Sequence, residues 1–356
     1  MLIRLSLFLL LCAPLFSCST TKPTATQESA ASATSSRFLV AWWNVENLFD
    51  TIDDPTQDDD FTPSGKYKWT EARLDYKFKQ LSVVISDLAE SRNYTLPDIM
   101  GFCEVEHQHL LDTLFQKYLN SKAHKVVYYE SPDPRGIDVA VAYNGEKFTL
   151  LDSRKHKVAL DGGATRDILE AKFEAKGSPK GNVLYVFANH WSSRRGGEEA
   201  SEPRRIVAAQ TLRNRIDELL AQDSTADVVM LGDLNDEPSN NSVSKTLRAI
   251  GDLSQVLASN DGALYNFMAA YQGIGTYFYQ NHWERIDHAI VTKGLFDNRS
   301  FSAVPNSFTA FYKPYMFERD KDGKPTEKPF RTYAGQRYLG GYADHLPILL
   351  EIKLNP

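Results

Sequence analysis

Six short polar clusters in this chain bring together residue types that could share one reaction: Asn44-Val45-Glu46, Glu104 with Glu106, Asn189-His190, Gly232-Asp233-Leu234-Asn235, Asp287-His288 and Asp344-His345. Carboxylates and carboxamides offer hard oxygen ligands to a divalent cation, and an imidazole held beside a carboxylate can bind an anion or move a proton. Alone, each cluster is weak, because an Asp-x-Asn is usually a turn or a helix cap and an Asp-His pair usually plain surface chemistry. Their shared position is the stronger signal. Each adjoins a run rich in β-branched and aromatic residues, so all six can converge on one sheet edge.

Those runs are the elements that must hold the clusters in place. Strands are predicted at Phe38–Trp43, Ile99–Cys103, Val126–Tyr129, Ile137–Tyr143, Val183–Ala188, Val228–Leu231, Ile286–Val291 and Ile348–Ile352. Leu74, Phe78, Leu81, Ile85 and Leu88 recur at helical spacing, as do Ile206, Ala209, Leu212, Ile216 and Leu219, which predicts two amphipathic helices covering a sheet. Pro203 marks the expected start of the second, and Leu96-Pro97-Asp98 breaks the first before its strand. Paired strands with single helices between them do not make a strict βαβ repeat, so two mixed sheets with helices outside fit better. Two stretches read as insertions. Asp50–Asp60 holds six Asp in eleven residues without EF-hand spacing, and is expected to be a solvated loop with no function. Residues 308–342 interleave aromatics with cations, which suits either a stacking and phosphate-tracking wall or a packed surface flap.

With 356 residues, 42% of them apolar, and ordinary Gly and Pro content, the chain is globular and is read as one large domain behind an N-terminal address. Its 40 basic against 46 acidic residues, net −6, exclude coating nucleic acid by bulk positive charge but allow a locally basic cleft. The start of the chain, residues 1–17, carries Arg4 and then an apolar run too short to span a bilayer, which predicts a secretory signal. Leu15-Phe16-Ser17-Cys18 resembles a bacterial lipobox, with Cys18 the residue to be acylated and membrane anchoring the consequence. Residues 18–36 are Ser, Thr and Ala with few bulky apolar side chains, a tether rather than a fold, and the remaining 37–356 form the domain. Only Cys103 lies inside that domain, which rules out an internal disulfide or a thiolate zinc cluster; its apolar run makes it a packing residue.

In order and context, Trp43-Asn44-Val45-Glu46, Glu104, Asn189-His190, Gly232-Asp233-Leu234-Asn235, Ile286-Asp287-His288 and Asp344-His345 resemble the endonuclease/exonuclease/phosphatase superfamily over nearly all of 37–356. Arg135-Gly136-Ile137-Asp138-Val139-Ala140 and the run from Asn189 to Gly197 are similar to an exported bacterial branch of it. The resemblance implies a four-layer α/β sandwich, two mixed and mostly antiparallel sheets face to face with helices outside, and a site at one sheet edge. It implies a hydrolase of phosphate esters using Mg²⁺, with Mn²⁺ or Ca²⁺ as alternatives. Glu104 is then the principal metal ligand with Glu46 and Asp344 nearby, and Asn44 fixes the ligands or the phosphate. Asp233 aligns and deprotonates the attacking water, held by Asn235. His345 binds the scissile phosphate in a tautomer set by Asp287, while His190 serves as general acid or second phosphate ligand. Glu46 departs from the Asp of abasic-site endonucleases, and His190 places the chain nearer deoxyribonucleases and sphingomyelinases. Arg135 and Arg205 are expected on substrate phosphate. The expected activity is an exported endonuclease on DNA or RNA, with a sphingomyelinase or small-substrate phosphatase as the alternative and an inactive binding module beyond that. No feature calls for a protein partner, and a monomer is expected.

Overall fold

The structure, a computed structural model, describes residues 36–177 and 181–356; the expected signal, most of the tether and Cys18 lie outside the described residues. Eight strands carry the argument: β1 (Arg37–Leu48), β2 (Ile99–Val105), β3 (His124–Tyr128), β4 (Asp138–Asn144), β5 (Phe148–His156), β6 (Ile168–Ala175), β7 (Val183–His190) and β8 (Asp227–Asp233). One sheet runs Phe301–Ala303, Ile348–Leu354, β1, β2, β4, β3, with Thr309–Ala310 also paired to Ile348–Leu354. The other runs β5, β6, β7, β8, Asp287–Val291, Leu264–Asn266, Ala249–Ile250. Most neighbours are antiparallel, but β1–β2, β7–β8 and the short edge pair Ala249–Ile250 with Leu264–Asn266 are parallel. Parallel neighbours end on the same side, so each sheet delivers two chain ends to one edge.

Strand periodicity explains the layers. Along β1, Phe38, Val40 and Trp42 enter the core between the sheets, whereas Leu39, Ala41 and Trp43 face outward. The helix Glu71–Glu90 covers that outer face with Leu74, Phe78, Leu81, Ile85 and Leu88 buried. Thr70 caps its N-terminus by accepting from the Arg73 amide. Each such side chain taken out of water contributes about 1.5–3 kcal/mol before entropy is counted. On the far side, Ala208, Ala209, Leu212, Ile216 and Leu219 of the helix Glu198–Gln222 pack on the second sheet. The result is the four-layer α/β sandwich.

Several expectations need correction. The second helix begins at Glu198, a turn before Pro203, and it turns Arg205 rather than Ile206 fully inward. Strands β5 and β6 were not expected; β5 buries only Phe148, leaves its other residues exposed or half-buried, and is a strand because β6 pairs with it along its length. The Asp50–Asp60 loop is not simply solvated, since Asp50 and Asp58 are buried. Residues 308–342 form a packed flap: Phe311, Met316 and Tyr333 sit in the outer core of the first sheet, and two short hairpins, Phe317–Arg319 with Pro325–Pro329 and Tyr333–Ala334 with Arg337–Tyr338, complete it.

Candidate active site

Strand register brings the polar clusters together. His190, Asp233 and Asp287 are direct neighbours across three strands, and Asn44 pairs with Cys103, the residue before Glu104. Two glycines make the close approach possible. A Cβ on Gly101 would lie 2.6 Å from the Trp42 indole, and one on Gly232 would lie 2.6 Å from the Asn189 Cβ. At the strand ends the regular alternation is broken on purpose. Glu46, Asn47, Glu104 and Asn235 all adopt positive φ, between 51° and 61°, and the β1–β2 and β2–β4 registers slip at these points. After Cys103 faces the inner core, Val105 packs on the outer one, so the kink at Glu104 re-aims its carboxylate along the sheet edge. Such backbone costs of order 1–3 kcal/mol each and collects at functional sites.

At the centre is Asp233. Its Oδ2 accepts from Asn44 Nδ2 at 3.1 Å and its Oδ1 from the Asn235 amide at 2.9 Å. Two imidazoles flank it, His190 Nε2 at 3.7 Å and His345 Nε2 at 3.8 Å. Burial, reinforced by the charge of Asp287, pushes the Asp233 carboxyl up to about 7 against the pull of His345 and its hydrogen bonds. A base is most effective with its pKa near the working pH.

The two imidazoles differ because their neighbours differ. Burial disfavours charge on His345, but Asp287, 2.7 Å from Nδ1, together with Asp233 overcomes it and pushes the pKa up to about 10. Asp287 is itself fixed by the Trp42 indole N–H at 2.8 Å, and Tyr277 lies against the His345 ring with centroids 4.7 Å apart. Among the described residues, no carboxylate meets His190 at Nδ1, which is buried without a hydrogen bond; burial and the Arg166 and Arg135 charges hold its pKa well below the usual range. One imidazole is therefore a cation and the other neutral.

Glu104 lines the same edge, with Oε1 3.4 Å from Asn44 Nδ2 and 3.9 Å from His190 Nε2, and Oε2 accepting from the Asn47 amide at 3.0 Å. Glu46 is placed differently. Its oxygens accept from the Thr332 and Tyr333 amides at 2.7 and 3.3 Å and face Arg331, which also bonds Asp344 at 2.7 Å. Burial and the neighbouring Asp344 raise Glu46 to about 7, with Lys77 and Arg331 opposing. The Asp233, Glu104, Asn44, Asp287, His190 and His345 side chains thus form one cluster, joined by the Asn235 amide while the Asn235 side chain donates to the Trp191 carbonyl, with Glu46 and Asp344 beside it and tied to the flap through Arg331.

Arg135 is exposed, its Nε donating to Asp133 Oδ1 at 3.2 Å. Arg205 corrects its expected role. It is fully buried with Nε 2.6 Å from Asp236 Oδ1 and Nη1 on Ser201, so its guanidinium holds the second helix to the loop after β8 instead of meeting a phosphate. Arg166 is likewise internal, bonding Asp133 and the His190 and Trp191 carbonyls. His288 points away from the cluster to Asn266 and the Asp236 carbonyl, as its place beside Asp287 on a regular strand requires. Three residues escaped the sequence reading: Trp42, Arg331 and buried Lys77, whose Nζ donates to Thr332 Oγ1 and the Tyr342 carbonyl at 2.6 Å. Only Trp42, two residues before Asn44, carried any local signal.

A sheet edge that gathers oxygen ligands, a base poised near neutrality and an anchored imidazolium defines a phosphoesterase-type hydrolase. Residues 39–354 match the profile of the Endonuclease/Exonuclease/phosphatase family, and the chain belongs to that family. Among solved structures it is similar to an endonuclease/exonuclease/phosphatase family protein from Bacteroides thetaiotaomicron, at 17% identity over 90% of this chain and 99% of that one, TM-score 0.58. A mannosyl-6-phosphatase from the same species matches at 16% over 88% and 99%, TM-score 0.56. The TDP2 of D. rerio, complexed with a single-strand DNA product, matches at 14% over 89% and 99%, TM-score 0.52. No curated protein sequence matches the chain. Enzymes of this family typically depend on a divalent metal, and the edge offers acidic groups that could hold one.

Proposed function

We propose that the protein is a divalent-metal-dependent phosphodiesterase that cleaves DNA or RNA outside the cytoplasm, attached to a membrane through acylated Cys18. The observation that carries the catalytic part is Asp233 seated between a neutral and a cationic imidazole, 3.7 and 3.8 Å away. The donor set fits a hard cation. Glu104, Glu46, Asp233 and Asp344 crowd carboxylates into one edge, and burial together with neighbouring carboxylates pushes Glu46 and Asp233 up to about 7. Glu104 would hold Mg²⁺, with Mn²⁺ or Ca²⁺ as substitutes, steadied by Asn44 and with Glu46 and Asp344 adding charge from behind. Bound there, the ion supplies charge neutralisation at the phosphate oxygens.

The chain's own groups do the rest. Asp233 accepts the proton of the attacking water as its oxygen bonds to phosphorus and the ester alkoxide departs. His345, locked with Nδ1 toward Asp287, points Nε2–H at a phosphate oxygen as a cation. His190 is held neutral, so it suits a hydrogen-bond donor to the phosphate better than a proton donor at neutral pH. Exposed Arg135 and half-buried Arg331 supply positive charge at the rim for a polyanion.

The test is hydrolysis by the purified full chain of supercoiled plasmid, a small phosphodiester, sphingomyelin and a sugar phosphate monoester, with Mg²⁺, Mn²⁺ or EDTA. Metal-dependent nicking abolished by Asp233→Asn and His345→Ala is the expected result. Turnover confined to sphingomyelin or to the monoester, with the same mutant sensitivity, keeps the mechanism and replaces the substrate. No turnover of any of them returns the chain to a binding module. For the anchor, Cys18→Ala is expected to move the protein from the membrane to the soluble fraction.

A further inference from the structure

A second group of carboxylates lies just behind the catalytic edge, on the loop that follows β1. Glu106, two residues beyond Glu104, and Asp58 are each 1% exposed, and Asp50 is 7% exposed. One oxygen on each carboxylate is already engaged: Glu106 Oε2 accepts from the Asp50 amide at 2.7 Å, Asp58 Oδ2 from the Asp54 amide at 3.1 Å, and Asp50 Oδ1 from the Ile52 amide at 2.7 Å. The other oxygens of the two deepest groups, Glu106 Oε1 and Asp58 Oδ1, are buried and meet no donor group among the described residues; the two carboxyls face each other instead. Two buried carboxyls face to face are satisfied either by a proton shared between them or by a cation, and the further acids gathered around this pair favour the cation.

The identity of that cation follows from the donors. Carboxylate oxygens of Asp54, Asp58 and Glu106 fall within 4.8 Å of one another, and Asp50 joins Glu106 and His107 in an overlapping group of the same size. Ligands on a single ion at about 2.3–2.6 Å can be at most about 5 Å apart, so this spacing suits one calcium. Among the described residues, no Lys or Arg forms an ion pair with any of the four acids; His107 meets Asp54 at 2.6 Å and His109 meets Asp50 at 3.4 Å from the rim. Both His107 nitrogens are occupied, the second by Glu130 at 3.1 Å, which disfavours a zinc-like site. Magnesium keeps most of its water and takes one or two carboxylates, whereas three or four carboxylates gathered from a loop match calcium.

We propose that Asp50, Asp54, Asp58 and Glu106 form a structural calcium site, separate from the catalytic edge. Its effect is mechanical. The loop it would clamp leaves β1 at Leu48, two residues beyond Glu46, and the Gln57 amide donates to the Pro134 carbonyl at 2.7 Å, next to Arg135. Calcium here fixes the ends of β1 and β2 and the loop that carries Arg135.

The experiment uses the full chain after chelator treatment, in three forms: wild type, Glu104→Gln to weaken metal binding at the catalytic edge, and Asp58→Asn. Calcium alone is titrated by calorimetry and followed by thermal unfolding. The expected result is calcium uptake retained in Glu104→Gln, with Tm rising about 4 °C when calcium is about 100-fold above its Kd. Asp58→Asn should lose that uptake and that rise while its calcium-free Tm stays at or above wild type, since one buried charge is gone. Glu106→Gln serves as the second variant should Asp58→Asn fail to fold. Undiminished calcium binding in the folded variant, or no uptake by wild type at millimolar calcium, overturns the proposal; the latter means that Glu106 and Asp58 share a proton instead.

Discussion

Two buried carboxylates, Asp233 at the catalytic edge and Glu170 on the outer face of the second sheet, are pushed in opposite directions. Burial would raise both. At Glu170, hydrogen bonds from His156 at 2.6 Å and from Arg215 through Nε and Nη2 at 2.8 and 2.9 Å overcome it and bring the pKa down to about 2. At Asp233, amide donors and two imidazoles beyond hydrogen-bond length leave the carboxyl near 7. One region spends its polar groups on each other, and the other holds them in reserve for a substrate. That difference identifies the site more sharply than residue type does, because both regions consist of acids, His and Arg.

The comparison breaks most visibly under substitution. Asp233→Asn should lower kcat/KM by about 10²–10⁴-fold while Tm, measured in EDTA, holds or rises. Glu170→Gln should do the reverse: about 3 kcal/mol of stability lost, roughly 4 °C in Tm, with kcat/KM of the folded enzyme unchanged. A loss of activity from Glu170→Gln at full folding, or an active Asp233→Asn, would erase the distinction. Arg205 falls on the structural side, and Arg205→Met is expected to change Tm without raising KM.

Titration sharpens the same contrast, since the two groups carry opposite signs. The Glu170 carboxyl is lowered in the fold, so its contribution is fully present above its unfolded value of about 4.3 and is lost as pH falls toward 2. The Asp233 carboxyl is raised, so its contribution is present below about 3.9 and is lost as pH climbs through 7. In EDTA, Glu170→Gln should flatten the acid side of a Tm-against-pH curve and Asp233→Asn the side between pH 4 and 7. Next in size, Asp287→Asn should cost about 10–100-fold in activity, because it removes the partner that sets the His345 tautomer and charge.

Much of this was legible in the chain itself. The strand-end clusters announced themselves because a catalytic group at a sheet edge must follow a buried run, and the eight expected strands are all present in the observed sheets. What stayed hidden depends on contacts distant in sequence. Arg331 reaches Glu46 from 285 positions away, and Lys77 lies on a helix whose spacing speaks only of burial. Arg205 shows the converse. Its motif context suggested phosphate, but no local pattern reveals that Asp236 waits beneath it. The kinks at Glu46 and Glu104 are unmarked because neither residue is a usual choice for positive φ.

The smallest expected effect concerns Cys103, which sits where the two kinds of region meet. Its sulfur lies within 4.8 Å of ligand atoms of both His190 and Asp233, a placement that would suit a nucleophile. Its surroundings do not. It is fully buried in the core between the sheets, and burial together with the nearby Asp233 and Glu104 charges raises the thiol well above its ordinary value, so no thiolate is available. Cys103→Ala should therefore cost about 1 kcal/mol from lost packing and change kcat less than about 2-fold, and thiol alkylation of the native enzyme should leave activity intact. Rapid inactivation by an alkylating reagent at neutral pH would put Cys103 with the reactive groups and move the boundary between floor and site one residue deeper along β2.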